Sequence, residues 1–127
     1  METRLPTQIA EEWIQKWSAP EVPAIGPGVG ESVLDWELPR EQPALCLSTI
    51  VEVLGRIDGS TPNRLLSVLA AGPLENLLNY NGDAVVDEVD TLARKSPEFR
   101  LLLNAVWDSD IKPSILTRLT KYRGNPW

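Results

Sequence analysis

The side chains that could do chemistry in this sequence are carboxylates, a single thiol and a set of tryptophans; histidine is absent. That absence removes the commonest general base and the commonest metal ligand. Cys46 sits among Leu45, Leu47 and Ile50 with no imidazole to activate it, which predicts a buried structural thiol and no nucleophile. One Cys also excludes an internal disulfide framework and a Cys-rich zinc site. The acids Glu75, Asp83, Asp87, Glu88 and Asp90 form a stretch without an intervening base. On a helix Asp83, Asp87 and Asp90 share a face. Paired-carboxylate hydrolysis needs two acids in different environments within one cleft, and spacing alone does not place them there. A solvated or capping face explains the same residues, and the alternative is an acidic surface that steers a basic partner. Asp108 and Asp110 read as turn residues.

Other motifs fall short in specific ways. Asn79, Asn81, Gly82 and Glu88 match the third, fifth, sixth and last positions of a calcium loop, but Leu77 would stand first with no ligand oxygen. A helix end followed by a helix start is the simpler reading, with no metal. Gly26-Pro27-Gly28-Val29-Gly30 lacks the Lys-Ser/Thr of a phosphate loop, and Pro20-Glu21-Val22-Pro23 has no neighbouring base to orient a proline-rich ligand. Both read as connector, and no cofactor is implied. Glu75 follows Gly72-Pro73-Leu74, where it would cap a restarted helix or line a notch opened by the break. Five tryptophans is a high count for 127 residues. Trp13, Trp17 and Trp107 fall on apolar stripes, Trp127 is terminal, and Trp36 is either edge packing or an interface anchor.

The elements that must position these groups are helical. Ile9, Trp13 and Trp17 recur at helical period over Thr7–Ser18, with Glu12 and Lys16 as a pair on the wet side. Residues 19–42 are Pro- and Gly-rich and read as a connector whose later part, with Val33, Leu34, Trp36 and Leu38, packs as a short helical turn. From Pro43 the periodicity persists. Leu47, Ile50, Val51, Leu54 and Ile57 form one stripe; Thr61-Pro62 looks like a cap followed by proline at the first helical position. Gly72-Pro73 predicts a sharp break, and Asn81-Gly82 a left-handed helix end with Asp83 capping the next helix. Ser96-Pro97-Glu98 opens the run Phe99, Leu102, Leu103, Val106, Trp107, and Pro113 opens a last helix with Ile115, Leu116, Leu119 and Tyr122. No segment alternates at period two.

The expected fold is therefore all-α: a single domain over residues 1–127, with an N-terminal helix (1–18), a connector (19–42) and a helical core (43–123). Six or seven short helices would form a compact irregular bundle, or by analogy stacked hairpins of HEAT type. The formal charge is −6, with ten acids and four bases in residues 1–60 and eight of each in 61–127. That balance argues against nucleic-acid binding. The longest uncharged stretches are too short for a membrane span, and Met1–Pro6 lacks the apolar run of a signal peptide, so a cytoplasmic protein is expected.

Trp36-Glu37-Leu38 with Pro43-Ala44, then Val68-Leu69-Ala70-Ala71-Gly72-Pro73-Leu74-Glu75 with Leu77-Leu78 and Gly82, then Phe99-Arg100 with Leu102-Leu103 and Val106-Trp107 form an ordered series. It resembles a family of small bacterial all-helical domains of unknown function, in which an AAGPLE-type block precedes an FR-LL-VW-type block. The likeness covers residues 33–110. It implies a helical fold in a bacterial or phage-related setting and carries over no catalytic residue.

The functional expectation is a non-enzymatic protein-interaction domain, most specifically an immunity-type inhibitor that binds a basic bacterial toxin. Trp36, Glu75, Asp83, Asp87, Glu88 and Asp90 are its candidate partner-binding residues. The rival readings are a structural or oligomerisation element, with the tryptophan-bearing first helix packed on another subunit, and a carboxylate-based enzyme.

Overall fold

The computed structural model describes residues 3–18, 32–61, 63–106 and 111–122. The connector motifs within 19–31, Pro62, Trp107, Asp108, Asp110 and Trp127 lie outside them. Helix α1 (Pro6–Ser18) buries Ile9, Ala10 and Trp13, and the Gln8 side chain closes its start by accepting from the Leu5 amide at 2.9 Å. It packs on α3 (Pro43–Leu54), where Pro43 occupies the first turn and needs no N–H partner. The predicted Glu12–Lys16 pair does not form: Glu12 meets Arg4 at 2.5 Å and Lys16 meets Asp35 at 3.0 Å. Between the two helices lies the short α2 (Glu37–Glu41), whose Leu38, with Leu34 before it, is fully buried. The part of the connector from residue 32 onward thus belongs to the core.

α4 (Arg64–Leu69) is capped by Asn63, which accepts from the Leu66 amide at 3.0 Å. Thr61, the expected cap, instead turns its hydroxyl to Asp58. The break expected at Gly72-Pro73 is absent. Ala70–Leu74 form a π-helical turn through which the chain runs on into α5 (Glu75–Lys95), and the Glu75 amide bonds back to the Ala70 carbonyl. A proline ring and its missing N–H would break an α-helical ladder; the wider turn takes both without ending the helix.

α5 also continues through Asn81-Gly82. The interruption expected there takes the form of a kink: Asn81 (φ −136°, ψ 29°) is non-helical and joins two helical segments, while Gly82 has no positive φ and so supplies no left-handed end. Gly82 is buried beneath α7 (Pro113–Leu119): a β-carbon there would collide with Ile115 Cδ1. Glycine leaves room there for the end of the Ile115 side chain. Before α7 comes α6 (Pro97–Leu103), capped as expected by Ser96, whose hydroxyl accepts from the Phe99 amide at 3.1 Å. Thr120–Tyr122 extend α7 by one 3₁₀ turn.

The fold is all-α, with no strand among the described residues. It is an irregular bundle and not a row of hairpins, because α2, α3, α6 and α7 all pack on α5. One core joins Ile9 and Trp13 to Leu38, Ile50, Leu69, Leu77, Val89 and Phe99. No helix among the described residues is long and apolar enough to cross a membrane.

Candidate functional site

A five-residue helix has too few internal hydrogen bonds to hold itself, so α2 must be held by its surroundings. Asp35, just before it, is the first fastening. Its carboxylate accepts from the Trp13 indole at 2.7 Å, the Trp17 indole at 3.2 Å, the Lys16 ammonium at 3.0 Å and the Ser32 amide at 3.3 Å. Its backbone carbonyl accepts from Asn76 of α5 at 2.9 Å. The other end is fastened by Asn81, whose side-chain amide donates to the Pro39 and Arg40 carbonyls at 2.7 and 3.0 Å. The kink in α5 is where that amide is turned toward α2.

On this mount stand Trp36 and Tyr80, 46% and 54% exposed. Their rings meet edge to face with centroids 6.0 Å apart and an interplanar angle of 82°. The Arg40 guanidinium carbon lies 5.1 Å from the Trp36 centroid and 5.7 Å from that of Tyr80. Arg40 makes no ion pair among the described residues. Its charge is held against aromatic rings and not against a carboxylate, so it stays available. Trp, Tyr and Arg are the residue types that dominate binding energy at protein interfaces. Here the three form one exposed group on a backbone fixed at both ends.

The predicted acidic surface is arranged differently from the expectation. Asp83 pairs with Lys112 at 2.5 Å, and Asp87 with Arg118 at 2.6 Å. Asp90 is nearly buried and accepts from Arg118 at 3.1 Å and from the Tyr122 hydroxyl. Those contacts, the tyrosine hydroxyl foremost and Arg118 next, pull the Asp90 carboxyl down to about 2. Acids of α5 and bases of α7 thus meet each other; Asp83 and Asp87 make exposed pairs, and Asp90 is the one of the three that is buried. Glu88 points elsewhere, into a groove between α3 and α5.

Glu75 stands at the start of α5, directly after the π-helical turn, where the chain continues and does not restart. Cys46 is buried, and desolvation pushes its thiol far above the ordinary range, as a structural thiol requires. No cluster of metal-ligating side chains occurs among the described residues.

Sequence reasoning named Trp36 but missed Asp35, Arg40, Asn76, Tyr80 and Asn81. Asp35 lies 22 residues from Trp13, and Asn76 lies 41 from Asp35, separations at which no periodicity speaks. The nearest signal was the sequence Asp-Trp at the end of a Pro/Gly-rich stretch: a lone acid beside an aromatic just before a short apolar element.

No curated protein and no solved structure matches the chain. A match to a family does exist, and it takes in everything from α2 to α7 while leaving α1 outside. Residues 31–126 match the family of unknown function DUF6869, and the chain belongs to that family.

Proposed function

We propose that this protein is a non-enzymatic protein-interaction domain that docks its partner on the surface formed by Trp36, Arg40 and Tyr80. The observation that carries the reading is the exposure of those three side chains together where Trp36 and Arg40, at α2, meet Tyr80 of α5 across a junction held by Asn76 and Asn81. A surface ordered before binding loses little further entropy on association, which is what a dedicated binder needs. Two large rings supply apolar area, and the guanidinium supplies directional hydrogen bonds to a carboxylate or carbonyl of the partner. The first helix is not the docking element in this reading, because Trp13 is buried and Trp17 is engaged by Asp35.

The finer form of the reading is an immunity-type inhibitor of a toxin in a bacterial cytoplasm. The net charge of −6 supports it, since a basic effector would associate quickly with such a chain. In a pull-down from the encoding organism, immobilised protein should retain a partner that the Trp36→Ala/Tyr80→Ala protein loses. For the immunity form, that partner is a growth inhibitor whose toxicity co-expression of the wild-type protein relieves. Equal retention by both proteins would remove the patch. Trp36→Ala loses a ring contact and a cation–π contact and should cost about 1–2 kcal/mol, so circular dichroism and a melt of each variant establish that a lost partner is not a lost fold.

A further inference from the structure

A second surface lies on another side of α5. Leu47, Val51 and Leu92 floor an open groove of about 370 Å³ between α3 and the C-terminal half of α5, with Ser48, Thr91 and Glu88 at its edges. Past Val51 it meets a hollow of about 480 Å³ that reaches the start of α6, with Leu54 and Ile57 as its apolar lining and Asp58 and Glu98 among its polar residues. Val51 is shared by both and is 38% exposed, although it lies on the apolar stripe of α3.

The charge here is of one sign. Glu88, Asp58 and Glu98 line the two hollows, and no Lys or Arg does. Arg56 and Lys95, just beyond α3 and at the end of α5, lie outside the lining, and Arg56 is engaged by Glu52 at 3.4 Å. Two of the three acids are held by local hydrogen bonds, Asp58 by Ser60 and Glu98 by Ser96. Glu88 has no hydrogen-bond or ion-pair partner among the described residues, unlike Asp83, Asp87 and Asp90 of the same helix.

We infer that this groove docks a basic amphipathic helix of a protein partner. Its apolar face lies on Val51, Leu47 and Leu92, and its Lys or Arg side chains reach Glu88 and Glu98. A trough between two helices receives the side-chain ridge of a third, and no sheet edge among the described residues offers a place for an added strand. The acids disfavour a phosphate backbone or an anionic lipid surface and favour a cationic segment. The inference does not rest on the aromatic patch, whose residues Trp36, Arg40 and Tyr80 line neither hollow.

The test titrates the full chain with a synthetic amphipathic Leu/Lys helix of about 18 residues, five helical turns, followed by amide NMR. A Leu/Glu peptide of the same pattern and a Leu/Lys peptide of shuffled order are the controls. The expected result is saturable binding of the patterned Leu/Lys peptide alone, with shifts centred on residues 47–51 and 88–92. Glu88→Lys and Val51→Asp should each weaken it about tenfold, while Trp36→Ala leaves it within about twofold. Glu88 is exposed, so that variant decides the matter should Val51→Asp disturb the fold. Absence of binding, equal binding of either control, shifts centred on Trp36 and Tyr80, or an unchanged affinity in Glu88→Lys would each overturn the inference. None of these outcomes bears on the pull-down with Trp36→Ala/Tyr80→Ala.

Discussion

Asp90 draws four groups to one carboxylate: the Tyr122 hydroxyl, Arg118 at 3.1 Å, Arg94 at 3.4 Å and Lys121 at 3.7 Å. Its folded pKa, at about 2, lies below that of an unfolded aspartate, near 3.9. The folded chain therefore binds this proton less readily than the unfolded one. The stabilisation is complete above pH ~4 and is lost as the pH falls through about 2. Melting temperature followed from pH ~5 to ~2 should drop in the wild type; Asp90→Asn should start lower and change less across that window. Tyr122→Phe should raise the Asp90 titration midpoint seen by carboxyl NMR. Asp35 is the corresponding anchor at the other end of the chain. Asp35→Ala leaves the buried Trp13 indole without its acceptor and should cost about 2–3 kcal/mol in urea unfolding. A variant as stable as the wild type would show that α1 and α2 are held by apolar burial alone.

At the scale of elements, the decisive contact is where α5 and α7 cross. A methyl at position 82 would meet Ile115 Cδ1, the atom that Ile→Val removes. Gly82→Ala gains up to about 1 kcal/mol of helix propensity and loses about 1–3 kcal/mol to overpacking, so it should destabilise on balance. Ile115→Val alone should cost about 0.5–1.5 kcal/mol as a cavity. The double variant should be more stable than the sum of the two predicts, by about 1 kcal/mol in a double-mutant cycle. Additive effects would mean that the helices part instead of interlocking. The same crossing shows where element ends were hard to read. Asn-Gly and Gly-Pro are helix terminators in isolation, yet here a π turn absorbs Pro73 and the packing of Ile115 demands Gly82. Ser96-Pro97 was read correctly because a cap is a local hydrogen bond, complete within four residues.

Across the whole molecule, charge is organised by internal pairing. The acids of α5 lie over the bases of α7, so the balanced half of the chain largely neutralises itself, and the excess negative charge belongs to residues 1–60. Asp83 and Lys112 are both well exposed, at 68% and 63%, so Asp83→Asn should change stability by less than about 1 kcal/mol in chemical denaturation. Any salt dependence of partner association should also survive that substitution, because the net charge only falls from −6 to about −5; stopped-flow rates at low and high salt would check this.

The sequence by itself determined the helical class, most of the apolar stripes, the Ser96 cap of α6, the first-turn prolines of α3, α6 and α7, and the burial of the thiol. All of these are short-range matters of period, local hydrogen bonding and burial. Trp36 could be singled out but not placed, and Asp83, Asp87 and Asp90 could be grouped on one face without knowing what that face meets. Tertiary structure alone decided that Asp35 fastens two tryptophans, that Arg40 and Tyr80 join Trp36, that α7 brings bases to Asp83, Asp87 and Asp90 and that Glu88 is left lining a groove. Each of those outcomes depends on groups distant along the chain arriving within a few ångströms of one another, and no local energy term records such a meeting before the core has formed.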